Sequence, residues 1–168
     1  AETSDALAAG ADEIDLVLPY RAYLSGNVDV ARAMVERIAD AVHAATGRSG
    51  RPAELKVILE TGELVDDDAV LGAARLAVTG GADFIKTSTG KTSVSATLRA
   101  VQLMADVVAD ADRAVGLKPS GGIRTVDEAM QYLDIVGDRL GGEWATPDTF
   151  RFGASSLLDD AIAVAASE

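Results

Sequence analysis

The chain has 168 residues, with 15 lysines and arginines against 27 aspartates and glutamates, a formal charge of −12. So acidic a chain, with only 4% aromatic residues, offers neither the positive stripe that nucleic acids and anionic membranes require nor a base-stacking surface. The absence of cysteine excludes disulfides, iron–sulfur clusters and a cysteine nucleophile, and a single histidine argues against structural zinc.

The first ten residues, AETSDALAAG, have neither the basic nor the apolar region of a signal peptide, and no apolar run is long enough to span a bilayer. A cytoplasmic protein acting on a small molecule is therefore expected. Strands are predicted over Glu13–Leu18, Leu55–Glu60, Asp83–Thr87, Ala114–Lys118 and Thr149–Phe152. Between and after them, helical patterns run over Val28–Ala45, Asp67–Thr79, Ala96–Asp110, Val126–Leu140 and Ser156–Ala166. In the first helix Val30, Met34, Ile38 and Val42 form one apolar stripe. Strands alternating with helices mean parallel pairing through crossovers, in one α/β domain covering residues 1–168 without a linker. The sheet is either an open doubly wound one or a closed barrel. No G-x-G-x-x-G follows a strand, which weighs against a dinucleotide fold.

An internal echo sharpens the choice. Gly10-Ala-Asp-Glu-Ile-Asp15 matches Gly81-Ala-Asp-Phe-Ile-Lys86 position for position, so Asp15 and Lys86 occupy equivalent depths on strands separated by one other. Barrel interiors are layered by alternate strands, which would bring this acid and this amine into one layer.

The lysines are few and oddly placed. Lys56, Lys86, Lys91 and Lys118 all lie in strands or the loops after them, and none on a helix face. Lys86 and Lys118 end consecutive strands, where (β/α)8 enzymes keep their catalytic groups. Two ammonium groups about 5 Å apart repel by about 3 kcal/mol at an effective dielectric of about 20. That repulsion, with partial burial, favours a neutral amine able to attack a carbonyl and form a Schiff base. Asp15 is either the proton handler beside it or a structural partner of Lys118 or Lys56. Lys56, if its face points inward, needs a carboxylate partner.

Gly121-Gly122 and Gly153-Ala-Ser155-Ser156 follow consecutive strands. They are backbone-donor loops suited to an anion, or else ordinary turns with a serine cap. Thr89-Gly90-Lys91 is placed to close the same pocket. Glu60-Thr-Gly-Glu63 follows a strand and is read as shaping it. Asp66-Asp67-Asp68 reads as a helix cap rather than a cation site, and His43 as a solvated helix-end residue.

At these motifs the chain resembles the deoxyribose-phosphate aldolases, which are class I, Schiff-base enzymes. The matching stretches are GADEIDLVLPYRAYLSGN, LKVILETGEL, GADFIKTSTGK, GLKPSGGIRT and FRFGASS, from about Ala9 to Leu158. The resemblance implies a (β/α)8 barrel, of TIM type, that reversibly cleaves 2-deoxy-D-ribose 5-phosphate to D-glyceraldehyde 3-phosphate and acetaldehyde. It implies Lys86 as the Schiff-base lysine, Lys118 as the lysine that tunes it, and Asp15 as the proton-transfer acid. The phosphate is expected at Gly121, Gly122, Gly153 and Ser155, with Gly90, Lys91 and Ser156 as neighbours. No cofactor or metal is expected, the imine being the electron sink. Family members carry three further strands before the GADE-type segment, so the resemblance implies an N-terminally truncated barrel, the C-terminal five strands. The competing readings are another phosphate-binding barrel enzyme, and an inactive fragment whose bare strand edges lead it to self-associate into a homo-oligomer.

Overall fold

Alternation along the strands decides which side of the sheet meets the helices. In a computed structural model describing residues 1–167, the elements follow in strict order. They are α1 (Glu2–Ala8), β1 (Glu13–Val17), α2 (Tyr20–Leu24), α3 (Val28–His43), β2 (Glu54–Ile58) and α4 (Asp67–Thr79). Next come β3 (Phe84–Lys86), α5 (Leu98–Ala109), β4 (Gly116–Lys118), α6 (Val126–Leu140) and α7 (Leu157–Ala165). The strands form one parallel sheet in the order β1-β2-β3-β4. Leu16, Leu55, Val57, Ile85 and Leu117 point to the outer face and are buried beneath α3 to α6, which pack side by side in chain order. The intervening positions turn a charged set inward: Glu13, Asp15, Lys56, Lys86 and Lys118.

Capping residues set the helix starts. Asp66 accepts a hydrogen bond from Ala69 N at 2.8 Å, the cap expected of the triple-aspartate run. Thr97 caps α5, so that helix starts at Leu98 rather than Ala96. Thr125 and Glu128 form a reciprocal capping box at α6.

Two features depart from expectation. The run Thr149–Phe152 lies parallel to β4 but forms only isolated bridges, Leu117 with Phe150 and Ser120 with Gly153. Pro119, between those two bridges, has no N–H to donate, and the ladder is interrupted there. In α3 the buried stripe is Ala31, Val35, Ala39 and Val42, whereas Val30 is 58% exposed. Met34 and Ile38 pack only at its margin. The small alanines let α3 approach the sheet, so the face is one residue away from that marked by the larger side chains.

Hydrogen-bond register pairs Asp15 with Lys56 and Lys86 with Ile58, a stagger of two residues between β1 and β3. A (β/α)8 barrel staggers by about one residue per strand, so two strands apart this offset returns both residues to one level. The sheet curls enough for Arg151, beyond β4, to pair with Glu13 on β1.

Among the described residues no strand pairs with the outer edge of β1, and Val17 on it is 40% exposed. Unpaired backbone beside apolar side chains favours strand addition. Expressed as these 168 residues, the chain is expected to elute as a dimer or larger species. Light scattering that returned a monodisperse monomer would contradict this.

Candidate active site

The inner face collects an ion network. Lys56, 3% exposed, donates to Glu13 Oε2 at 2.5 Å and to Asp15 Oδ1 at 3.0 Å. Lys86, 13% exposed, donates to the other Asp15 oxygen, Oδ2, at 2.8 Å. Asp15 is therefore held from both sides, by an ammonium below and an ammonium at the strand end. Burial works to raise the Asp15 pKa, but the hydrogen bonds and charges of Lys86 and Lys56 outweigh it and hold the carboxyl below its ordinary value. Glu13 follows the same pattern, with burial opposed by Lys56 and Arg151. Its Arg151 guanidinium also lies 4.4 Å from the Phe84 ring centroid.

Lys118 is level with Lys86 in the strand register. Burial comes first among the causes that push its ammonium below the ordinary lysine range, followed by the charges of Lys56 and Lys86. Asp15 and Glu13 pull weakly the other way. Asp15 and Lys86 thus form an ion pair, while the neighbouring amine gives up its proton more readily than a free lysine.

Beyond these strand ends, three loops enclose an open cleft of about 380 Å³. Its lining includes Gly90, Gly121, Gly122, Gly153 and Ser155, five of the residues expected at an anion site. Lys91 and Ser156 adjoin the cleft in sequence but do not line it. Ser95, Ser120 and Arg124 line it too and were not singled out from the sequence. Ser120 carried a usable signal, since it precedes the glycine pair directly. Two glycines are there because the loops touch. At Gly121, φ is +85°, and a Cβ would lie 2.6 Å from Ser95 Oγ. At Gly153 a Cβ would lie 2.2 Å from Ser120 Oγ. Thr87 ties the first two loops together, accepting from Ser120 N at 2.9 Å.

The minor candidates have other partners. Asp67 pairs with Arg99 on the helical side, and His43 Nε2 lies 2.8 Å from Asp83 Oδ2. Among the described residues no group of three or more histidines or acids is arranged to hold a metal, and no helix is long and apolar enough to cross a membrane.

Comparison with known proteins matches nearly the whole chain. The family described as "DeoC/LacD family aldolase" matches residues 1–161. The deoxyribose-phosphate aldolase of Agrobacterium fabrum is 47% identical over 166 residues, which is 99% of this chain and 61% of the relative. Among solved structures, the apo form of a protein assigned as a deoxyribose-phosphate aldolase from Toxoplasma gondii ME49 superposes with a TM-score of 0.82. It is 30% identical, and the match covers 99% of this chain and 64% of that one. The tetrameric deoxyribose phosphate aldolase of Aeropyrum pernix gives a TM-score of 0.70 at 28% identity, over 99% and 61% of the two chains. The chain thus spans a little over three-fifths of the length of these relatives, and its parallel sheet is a stretch of their barrel.

Proposed function

Because this chain belongs to the DeoC/LacD aldolase family, we propose that it carries the catalytic face of a class I aldolase acting on 2-deoxy-D-ribose 5-phosphate. In this reading residues 1–168 are one domain, the C-terminal portion of the barrel, within a cytoplasmic homo-oligomer. The observation that carries it is the Lys86–Asp15 contact at 2.8 Å beside a deprotonation-prone Lys118.

The steps follow from those groups. Lys86 passes its proton to Lys118 or Asp15 and attacks the substrate carbonyl carbon as a free amine. The carbinolamine loses water, leaving a protonated imine on Lys86. Deprotonation of the substrate hydroxyl then breaks the carbon–carbon bond, releasing glyceraldehyde 3-phosphate and leaving the electron pair as an enamine. Asp15, or a water it orients, moves the proton at the hydroxyl and at the enamine carbon. Hydrolysis returns acetaldehyde and the free lysine. The imine accepts the electron pair throughout, so the mechanism assigns no step to a metal.

The test is reductive trapping. Acetaldehyde with borohydride, applied to the full-length protein, is expected to add one two-carbon group, and peptide mapping is expected to place it on Lys86. An adduct on Lys118 or Lys91 would reverse the assignment, and no adduct would remove the Schiff base altogether.

The anion end has its own check. Ser155→Asp puts a carboxylate at the mouth of the cleft lined by Gly121, Gly122 and Gly153. It is expected to weaken the phosphorylated sugar by about tenfold or more, while sparing 2-deoxyribose. Equal loss on both sugars would make this loop structural. Gly90, Lys91 and Ser156 complete the proposed phosphate surroundings.

A further inference from the structure

Glu60 stands where a glutamate is disfavoured. It is the one non-glycine residue with positive φ among those described, at φ 56° and ψ 55°, and it is 2% exposed. A left-handed backbone favours glycine or asparagine, and a buried carboxylate needs donors. The side chain finds them all in the loop after β3. Glu60 Oε1 accepts from Thr89 N at 3.1 Å and from Thr92 Oγ1 at 3.3 Å, and Oε2 accepts from Thr89 Oγ1 at 2.5 Å. Thr89 Oγ1 in turn accepts from Lys91 N at 3.2 Å. Thr61 N donates to Thr87 O at 2.9 Å, so the backbones of the two loops are joined as well.

The clamped segment has a defined place. Thr89 and Gly90, three and four residues beyond Lys86, line the cleft together with Gly121 and Gly153. Glu60 itself does not line that cleft. We infer that Glu60 is a positioning residue, whose carboxylate, held by a disfavoured backbone conformation, fixes the Thr89–Thr92 loop so that the cleft accepts the substrate's phosphate. It acts on recognition of the anion and leaves the amine chemistry at Lys86 alone. The inference rests on the aldolase reading for its substrate, and on the loop contacts for its mechanism.

The experiment uses the full-length protein with Glu60→Gln, Glu60→Gly and Thr92→Val, Thr92 being the Glu60 partner that does not line the cleft. Glu60→Gln keeps the shape but turns an amide NH2 toward donors. Glu60→Gly removes the clamp while relieving the backbone, so it keeps the measurement interpretable if the glutamine variant folds poorly. Each is expected to raise KM for 2-deoxy-D-ribose 5-phosphate by about tenfold, with kcat, turnover of unphosphorylated 2-deoxyribose and acetaldehyde trapping at Lys86 within about twofold of wild type. Glu60→Gln and Thr92→Val together are expected to cost no more than either alone, since they break one contact. Amide exchange at Thr89 and Lys91 is expected to quicken in all three.

Equal losses on both sugars, an unchanged KM, or additive effects of the pair would overturn the positioning role. Failure of the aldolase reading has a separate signature. The wild-type protein would then form no acetaldehyde adduct, whereas failure of the Glu60 inference leaves that adduct intact and only the phosphate discrimination unmoved by the variants.

Discussion

Lys86→Leu removes borohydride-trapped adduct entirely and lowers turnover by at least about 10³-fold, equivalent to about 4 kcal/mol of barrier at about 1.36 kcal/mol per decade. The loss is expected in kcat, because the phosphate cleft does not depend on the amine. Lys118→Leu differs in kind. It keeps the nucleophile, so trapping persists, but it removes the amine that burial and the Lys56 and Lys86 charges hold below the ordinary lysine range. The rate is expected to fall at neutral pH and to recover as pH rises. A profile of unchanged shape would show that Lys118 plays no part in deprotonating Lys86. Stability carries the same sign. A lysine whose folded pKa is lowered binds fewer protons folded than unfolded, so stability increases as pH rises from the lowered value to the ordinary one. Lys118→Leu is expected to flatten that increase and to raise stability at neutral pH while costing activity.

Lys56→Met has the largest expected effect on stability. The ammonium is 3% exposed and holds Glu13 and Asp15 together, two carboxylates two residues apart on one face of β1. Breaking a buried ion pair typically costs about 3–5 kcal/mol, but here each acid keeps a second cation and is about a third exposed, so about 2 kcal/mol is expected. In a chain of this size that lowers the melting temperature by roughly 4–8 °C. The folded pKa values of Asp15 and Glu13 are lowered, so the stability they contribute is present above the ordinary carboxylate range and is lost as pH falls through the lowered values. Lys56→Met is expected to move the acid-unfolding midpoint upward. Melts at pH 7 and pH 4 that shifted equally would show the network to be electrostatically idle.

The site was legible in the sequence to the extent that it is written along single strands. Lys86 and Lys118 end β3 and β4, and the Gly10 and Gly81 echo sets Asp15, midway along β1, at the same depth as Lys86. The expected partner of Lys56 was an interior carboxylate, and the structure supplies two, both from β1. What the sequence hid lies between strands. Arg151 reaches Glu13 across the curl of the sheet, a contact no local pattern announces. The interrupted ladder at Thr149–Phe152 traces to Pro119, directly after β4, not to anything in the run itself. The buried face of α3 is set by the close approach that Ala31 and Ala39 permit, which the larger side chains Val30, Met34 and Ile38 do not mark. Glu60 lay inside a quoted motif, yet its left-handed backbone and its grip on Thr89 appear only once two loops are folded side by side.

The pairing of Arg151 with Glu13 joins residues 138 apart in sequence. Closing so long a loop is entropically costly, and the cost must be met before the contact returns anything. The hydrophobic outer layer has no such requirement, since α3 to α6 each pack against the next helix, and α3, α4 and α5 each against the strand that follows it. Assembly can therefore proceed along the chain, strand by strand, with the charged interior still open to water. The Arg151–Glu13 contact is then expected to be the last of the interior to form, and these two ions to give up their hydration only when the rest of the fold stands ready to hold them.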